Sequence, residues 1–200
     1  LPVAVPLLAF VAGAALQLPL AELANLVQRV APVPAEQLLR QQRLLDASTP
    51  GVALAAFVSF VVVAPLSEEL LFRGVLLRGL GVVHGRVAAL VASSALFALA
   101  HLGAWSALAY AFVAGLVLGA VLQRTGSTVA TIALHAGVNA VPVLLPARFV
   151  AIPGFNVPAG ADGAPGHIAP ALVVASALAA ALALGLLART MPPPDDRDVP

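Results

Sequence analysis

The stretch Phe57-Val58-Ser59-Phe60-Val61-Val62-Val63-Ala64-Pro65-Leu66-Ser67-Glu68-Glu69-Leu70-Leu71-Phe72-Arg73-Gly74 sets two adjacent carboxylates and a guanidinium inside one of the longest apolar runs of the chain. An ionised group at membrane depth costs at least ~2.5–3.5 kcal/mol on insertion scales, so such groups mark function by default. Outward from this stretch, 61% of the 200 residues are hydrophobic and 10% are charged. A water-soluble domain of this length carries roughly 25% charged residues. There is too little polar surface here to coat a soluble globule, whereas lipid tolerates an apolar exterior. The composition therefore predicts an all-α fold: a polytopic transmembrane helical bundle of about six spans with an interhelical polar cavity.

The apolar segments are rich in Ala, Leu and Val and lack the two-residue alternation of an outer-membrane strand. A net charge of +1 gives no reason to expect nucleic acid as a partner. All ten basic residues are arginine, and they mostly flank the apolar runs. The absence of cysteine excludes a thiol nucleophile, a disulfide framework and thiolate metal sites.

In chain order, residues 3–27 form a first apolar run, long enough for a ~30 Å hydrocarbon core, with Pro6 and Pro19 as candidate kinks and Glu22 near its far end. Residues 29–50 are more polar and suit an interfacial helix, a lid or a connecting loop. The run 51–80 would measure ~45 Å as a continuous helix, so it must tilt, project into water or break, and Pro65 is the expected break. Gly79, Gly81 and Gly85 are expected to make the next turn. Residues 87–102 and 104–122 read as two spans joined near Gly103, and 127–147 as a fifth, interrupted by Pro142 and Pro146. Residues 148–168 read as an extended loop, 169–188 as the cleanest span, and 191–200 as a polar, disordered tail. The whole of 1–200 is thus one integral membrane domain, with its catalytic core at 51–147. Flanking arginines divide five against four between the two sides, too evenly to orient the chain. The arginine-only, Ala-rich composition points to a multi-pass protein of a bacterial inner membrane.

Residues four apart share a helix face and adjacent residues lie ~100° apart. Glu69 is therefore set to pair with Arg73, while Glu68 points elsewhere without a local cation. A carboxylate paired with arginine is held ionised; an unpaired one is available to take and return a proton. Two histidines lie inside later apolar runs: His101 four residues after Phe97, and His135 four residues before Asn139. The pair His135/Asn139 aims two donors from one face and suits an oxyanion, and His101 suits orienting a water for Glu68. His84 and His167 read as ordinary interfacial or loop residues, and Ser67 as a local hydrogen-bonding residue beside Pro65 rather than a nucleophile.

These three motifs, Glu68-Glu69-x-x-x-Arg73, Phe97-x-x-x-His101 and His135-x-x-x-Asn139, resemble in kind and order the Abi/CAAX-protease family of intramembrane endopeptidases. That family includes the CAAX prenyl protease of the Rce1 type and bacterial glutamic-type (CPBP) proteases. The resemblance covers about residues 60–145. It implies peptide hydrolysis in which Glu68 activates water with His101, Glu69 and Arg73 support the site, and His135 with Asn139 binds the oxyanion. The expected substrate is a membrane-associated peptide or protein. No cofactor is favoured; the alternative is a zinc ion held by Glu68, His101 and His135 with one open position. Other intramembrane proteases are set aside by the absence of His-Glu-x-x-His, Gly-x-Ser-Gly and Gly-x-Gly-Asp.

Two readings compete with the protease. One is a non-catalytic scaffold or bacteriocin-immunity-type protein of the same fold, which would not need every one of these polar residues. The other is a proton-linked transporter, for which no internal repeat speaks.

Overall fold

The computed structural model describes residues 2–34, 49–101, 103–157 and 166–191. Among them are six helices and no strand: α1 (Ala4–Val30), α2 (Pro50–His84), α3 (Arg86–Ala100), α4 (Trp105–Thr125), α5 (Thr128–Leu144) and α6 (Pro170–Thr190). The fold is an all-α membrane bundle. By length and composition α1, α2, α4 and α6 are each able to cross a bilayer, whereas α3 and α5 are shorter. Most of the expected region 29–50 and the tail after Met191 lie outside the described residues.

The turns follow from local chemistry. Thr49 caps α2, its hydroxyl accepting from Val52 N–H, and Pro50 occupies the first turn, where its missing N–H costs nothing. Gly79 and Gly81 are helical, contrary to expectation, and Gly85 alone turns the chain into α3, at a φ of 78° that favours glycine. Gly126, with φ 64°, ends α4, and the Ser127 hydroxyl caps α5 by accepting from Ala130 N–H.

Successive helices reverse direction. Arg78 of α2 donates to Gly126 O before α5, while Phe60 near the other end of α2 meets Asn139 of α5. Ser176 of α6 donates to Ala15 O of α1, and Ile168 N–H just before α6 donates to Glu22 of α1. Arg124 closes the end of α6 by donating to the carbonyls of Ala188 and Met191.

The core lies between α1, α4, α5 and α6, with Val5, Leu20, Leu118, Leu134, Val138 and Leu187 among its buried members. Helices α1 and α5 meet backbone to backbone. A Cβ added at Gly13 would stand 1.9 Å from Leu134 O, and one at Gly137 would stand 2.1 Å from Phe10 O. Small residues allow such an approach, which in lipid supplies van der Waals contact that larger side chains would prevent.

The expected break at Pro65 does not occur. Helix α2 runs on for 35 residues, about 50 Å at ~1.5 Å per residue, more than the ~30 Å hydrocarbon thickness. Instead it widens twice, at Phe57–Val63 and Leu70–Leu77, where hydrogen bonding shifts to the i→i+5 pattern. Between these wide stretches lies the short α-helical segment Ala64–Glu69. The first wide stretch delivers the chain to Pro65 with helical backbone angles at Val63 and Ala64, so the helix continues through the proline.

Candidate active site

Glu68 and Glu69 close the α-helical segment of α2 between its two wide stretches, and they face different environments. Glu69 is fully buried and Arg73 is 1% exposed. Arg73 Nη1 donates to Glu69 Oε1 at 2.8 Å, its Nη2 donates to Gly115 O at 3.2 Å, and its guanidinium lies 4.3 Å over the Phe97 ring. Removing one member of a buried pair of this kind typically costs ~3–5 kcal/mol, because the other is left buried and uncompensated. The i, i+4 pairing expected of these two residues is present.

His135 arrives from α5. Its Nδ1 bonds Glu69 Oε1 at 2.9 Å, so Glu69 ties together the second and fifth helices. An imidazole Nδ1 facing an ionised carboxylate carries a proton, which fixes the orientation of the ring. The Nε2 edge of His135 faces the other way, 3.8 Å from Glu68 Oε2.

His101 follows the last helical residue of α3, with φ −92° and ψ 34°, so α3 does not extend past Gly103 and the site lies at the α3–α4 end of the bundle. Its Nδ1 donates to Phe97 O at 2.8 Å, leaving Nε2 as the face presented to Glu68 Oε2, also at 3.8 Å. Phe97 is the common floor: its ring lies 4.6 Å from that of His101 and 5.8 Å from that of His135. The Glu68 and His101 side chains are 28% and 38% exposed, yet Glu68 Oε2 itself is shielded and accepts no hydrogen bond from the protein.

Five of the six expected site residues therefore form one connected group: Glu68, Glu69, Arg73, His101 and His135. Asn139 is used differently. One of its amide hydrogens goes to Phe60 O of α2, at 2.8 Å. Ser67, beside the glutamates, bonds back to the carbonyls of Val63 and Ala64, as a local helix residue does.

Sequence reasoning did not single out Ser93 or the Gly115 carbonyl. The Ser93 hydroxyl donates to Phe72 O at 3.1 Å, and the Gly115 carbonyl accepts from Arg73 Nη2. A serine pair inside an apolar helix, Ser93-Ser94, was the available signal for the first; a backbone carbonyl leaves none. His167, read as an ordinary loop residue, bonds Glu22, which also accepts from Ile168 N–H and Asn25. That cluster fastens the start of α6 to α1.

The nitrogen and oxygen donors around Glu68 Oε2 suit zinc in type, and both rings are held through Nδ1 as metal-bound histidines usually are. Their arrangement does not: among the described residues no three His, Cys, Asp or Glu side chains form a group that could hold a metal ion. No catalytic step is therefore derived through a metal.

Residues 50–141 match the sequence profile of the family described as type II CAAX prenyl endopeptidase Rce1-like, a segment that contains every residue of the site. The match supports the Abi/CAAX-protease family, to which the three motifs point. No curated protein and no solved structure matches the chain. The Rce1-like match implies a protease, and together with the apolar helices it supports an integral membrane protein suited to a membrane-associated substrate.

Proposed function

We propose that this protein is an intramembrane endopeptidase that hydrolyses a peptide bond of a membrane-associated protein or peptide, with Glu68 and His101 activating the water. The observation that carries the reading is the convergence of two imidazole Nε2 atoms on one shielded carboxylate oxygen, Glu68 Oε2, each at 3.8 Å. A water held beside Glu68 and His101 gives up a proton to this pair as its oxygen attacks the scissile carbonyl carbon. His135 donates from Nε2 to the oxyanion of the tetrahedral intermediate. Because its Nδ1 already donates to Glu69, this second donation needs the imidazolium. Two carboxylates, Arg73 and a charged His135 together sum to zero, so the buried group is neutral in that form. Collapse of the intermediate breaks the C–N bond, and the proton held by the Glu68–His101 pair passes to the leaving amine.

The family resemblance also implies Asn139 at the oxyanion. The reaction is written without a metal or cofactor, and the protein is assigned to a bacterial inner membrane. The same residues would be idle in a non-catalytic scaffold or immunity-type protein, and nothing in such a role requires a shielded Glu68 oxygen that accepts no hydrogen bond from the protein.

The test is cleavage of a broad quenched-fluorescent peptide library by purified protein, compared with Glu68→Ala, in the presence and absence of chelator. Wild type should cleave and Glu68→Ala should not. Equal cleavage by both overturns the mechanism, and loss on chelation restored by zinc overturns the metal-free form.

A further inference from the structure

The bond between Asn139 and Phe60 O coincides with a defect in the backbone of α2. In the first wide stretch Ala64 N–H donates five residues back, to Ser59 O. The next acceptor in that register is Phe60 O, and its donor would be the N–H of residue 65. Residue 65 is proline and has none. A carbonyl so stranded in apolar surroundings needs another donor, since unsatisfied backbone groups are costly and rare. Asn139 Nδ2 supplies it at 2.8 Å. Pro65 is itself fully buried and lies three residues before Glu68.

We propose that Asn139 is a positioning residue: its side-chain amide stands in for the backbone N–H that Pro65 lacks, holding α2 in the wide turn that sets the direction of Glu68. The inference rests on the protease reading for its effect on rate but not for its structural claim. In the second wide stretch, where no proline removes a backbone donor, Ser93 of α3 also donates to a carbonyl of α2, Phe72 O. Each wide turn of α2 is thus pinned from a neighbouring helix, and the carboxylate pair lies between the two pins.

The experiment is a cycle of Asn139→Ala, Pro65→Ala and the double variant in detergent or nanodisc. It reads kcat/KM on the quenched-fluorescent peptide library and hydrogen exchange of the 57–69 backbone. A misplacement of ~1 Å at a reacting group costs about 10²-fold, so Asn139→Ala should lower kcat/KM by about that factor, mainly in kcat. It should also speed exchange across 57–69. Pro65→Ala restores a backbone N–H, so the double variant should recover to within ~10-fold of wild type and regain its slow exchange. A double variant as inactive as Asn139→Ala, with exchange at 57–69 unchanged throughout, would make Asn139 a direct oxyanion donor and overturn the proposal. Should Asn139→Ala fail to fold, folding of the double variant supports it and failure of both counts against it. If wild type cleaves nothing, the protease reading falls, and the exchange cycle still decides the role of Asn139.

Discussion

Glu68 and Glu69 are chemically identical neighbours with opposite surroundings. Glu69 is fully buried, and a single oxygen of it takes both Arg73 and His135. The Glu68 side chain is partly open, and its inward oxygen takes no hydrogen bond from the protein. One carboxylate holds helices together, and the other is kept available. The difference arises from a rotation of ~100° between adjacent helix positions, which turns one side chain towards Arg73 and the other towards the end of α3. A pair of carboxylates in a membrane helix therefore need not share a task. In the proposed mechanism the locked member supplies the charge that lets His135 act, and the open member meets the water.

This contrast can be broken at four places. The largest effect is expected from Glu68→Gln, which keeps the shape and removes the base. Cleavage should fall by about 10²–10⁴-fold, the usual range for a general base, with the thermal unfolding midpoint in detergent almost unchanged. A variant that unfolds early while still cleaving would reverse the assignment of the two glutamates. Arg73→Met should act the other way, destabilising the fold by ~3–5 kcal/mol because Glu69 is left buried and unmatched, as read by denaturant titration in mild detergent. Combining it with Glu69→Gln should cost less than the sum of the two single changes, since they share one interaction.

His101→Gln tests the open side again. Cleavage should drop by ~10²-fold with stability retained, and a loss of folded protein would instead place His101 with the locked group. The smallest effect belongs to Ser67→Ala. Its hydroxyl bonds only local helix carbonyls, so turnover should stay within about threefold, the scale of an ordinary surface change. Complete loss at Ser67 would point to a serine nucleophile and away from Glu68.

Much of this was legible before any coordinates. The pairing of Glu69 with Arg73 follows from their spacing and survives even though Arg73 lies in a wide stretch of α2. The division between the two glutamates followed from the same geometry, and the three motifs pointed to the family that residues 50–141 match. What stayed hidden was hydrogen-bond register. Pro65 announced a disturbance, and the expected outcome was a break; the helix runs on and widens instead, with Asn139 donating to Phe60 O. Nothing local to Phe57–Val63 names Asn139, which is 79 residues from Phe60, as the side chain that makes this possible. The Glu22–His167 contact was hidden for the same reason, since 145 residues separate its ends and only the packing of α6 on α1 brings them together. Both misses concern polar groups satisfied across helices, where the choice of partner is a property of the assembled bundle.

The glycine contact between α1 and α5 bears on all of this. Gly13 and Gly137 leave so little clearance that neither helix can slide or roll past the other without collision of main chain on main chain. His135 and Asn139 bracket Gly137 on α5, so the first helix acts as a keyway that indexes them, although it contributes no side chain to the reaction and lies outside the matched segment. A truncation that kept every chemically active group but dropped residues 4–30 would be a lock with its wards intact and its housing removed.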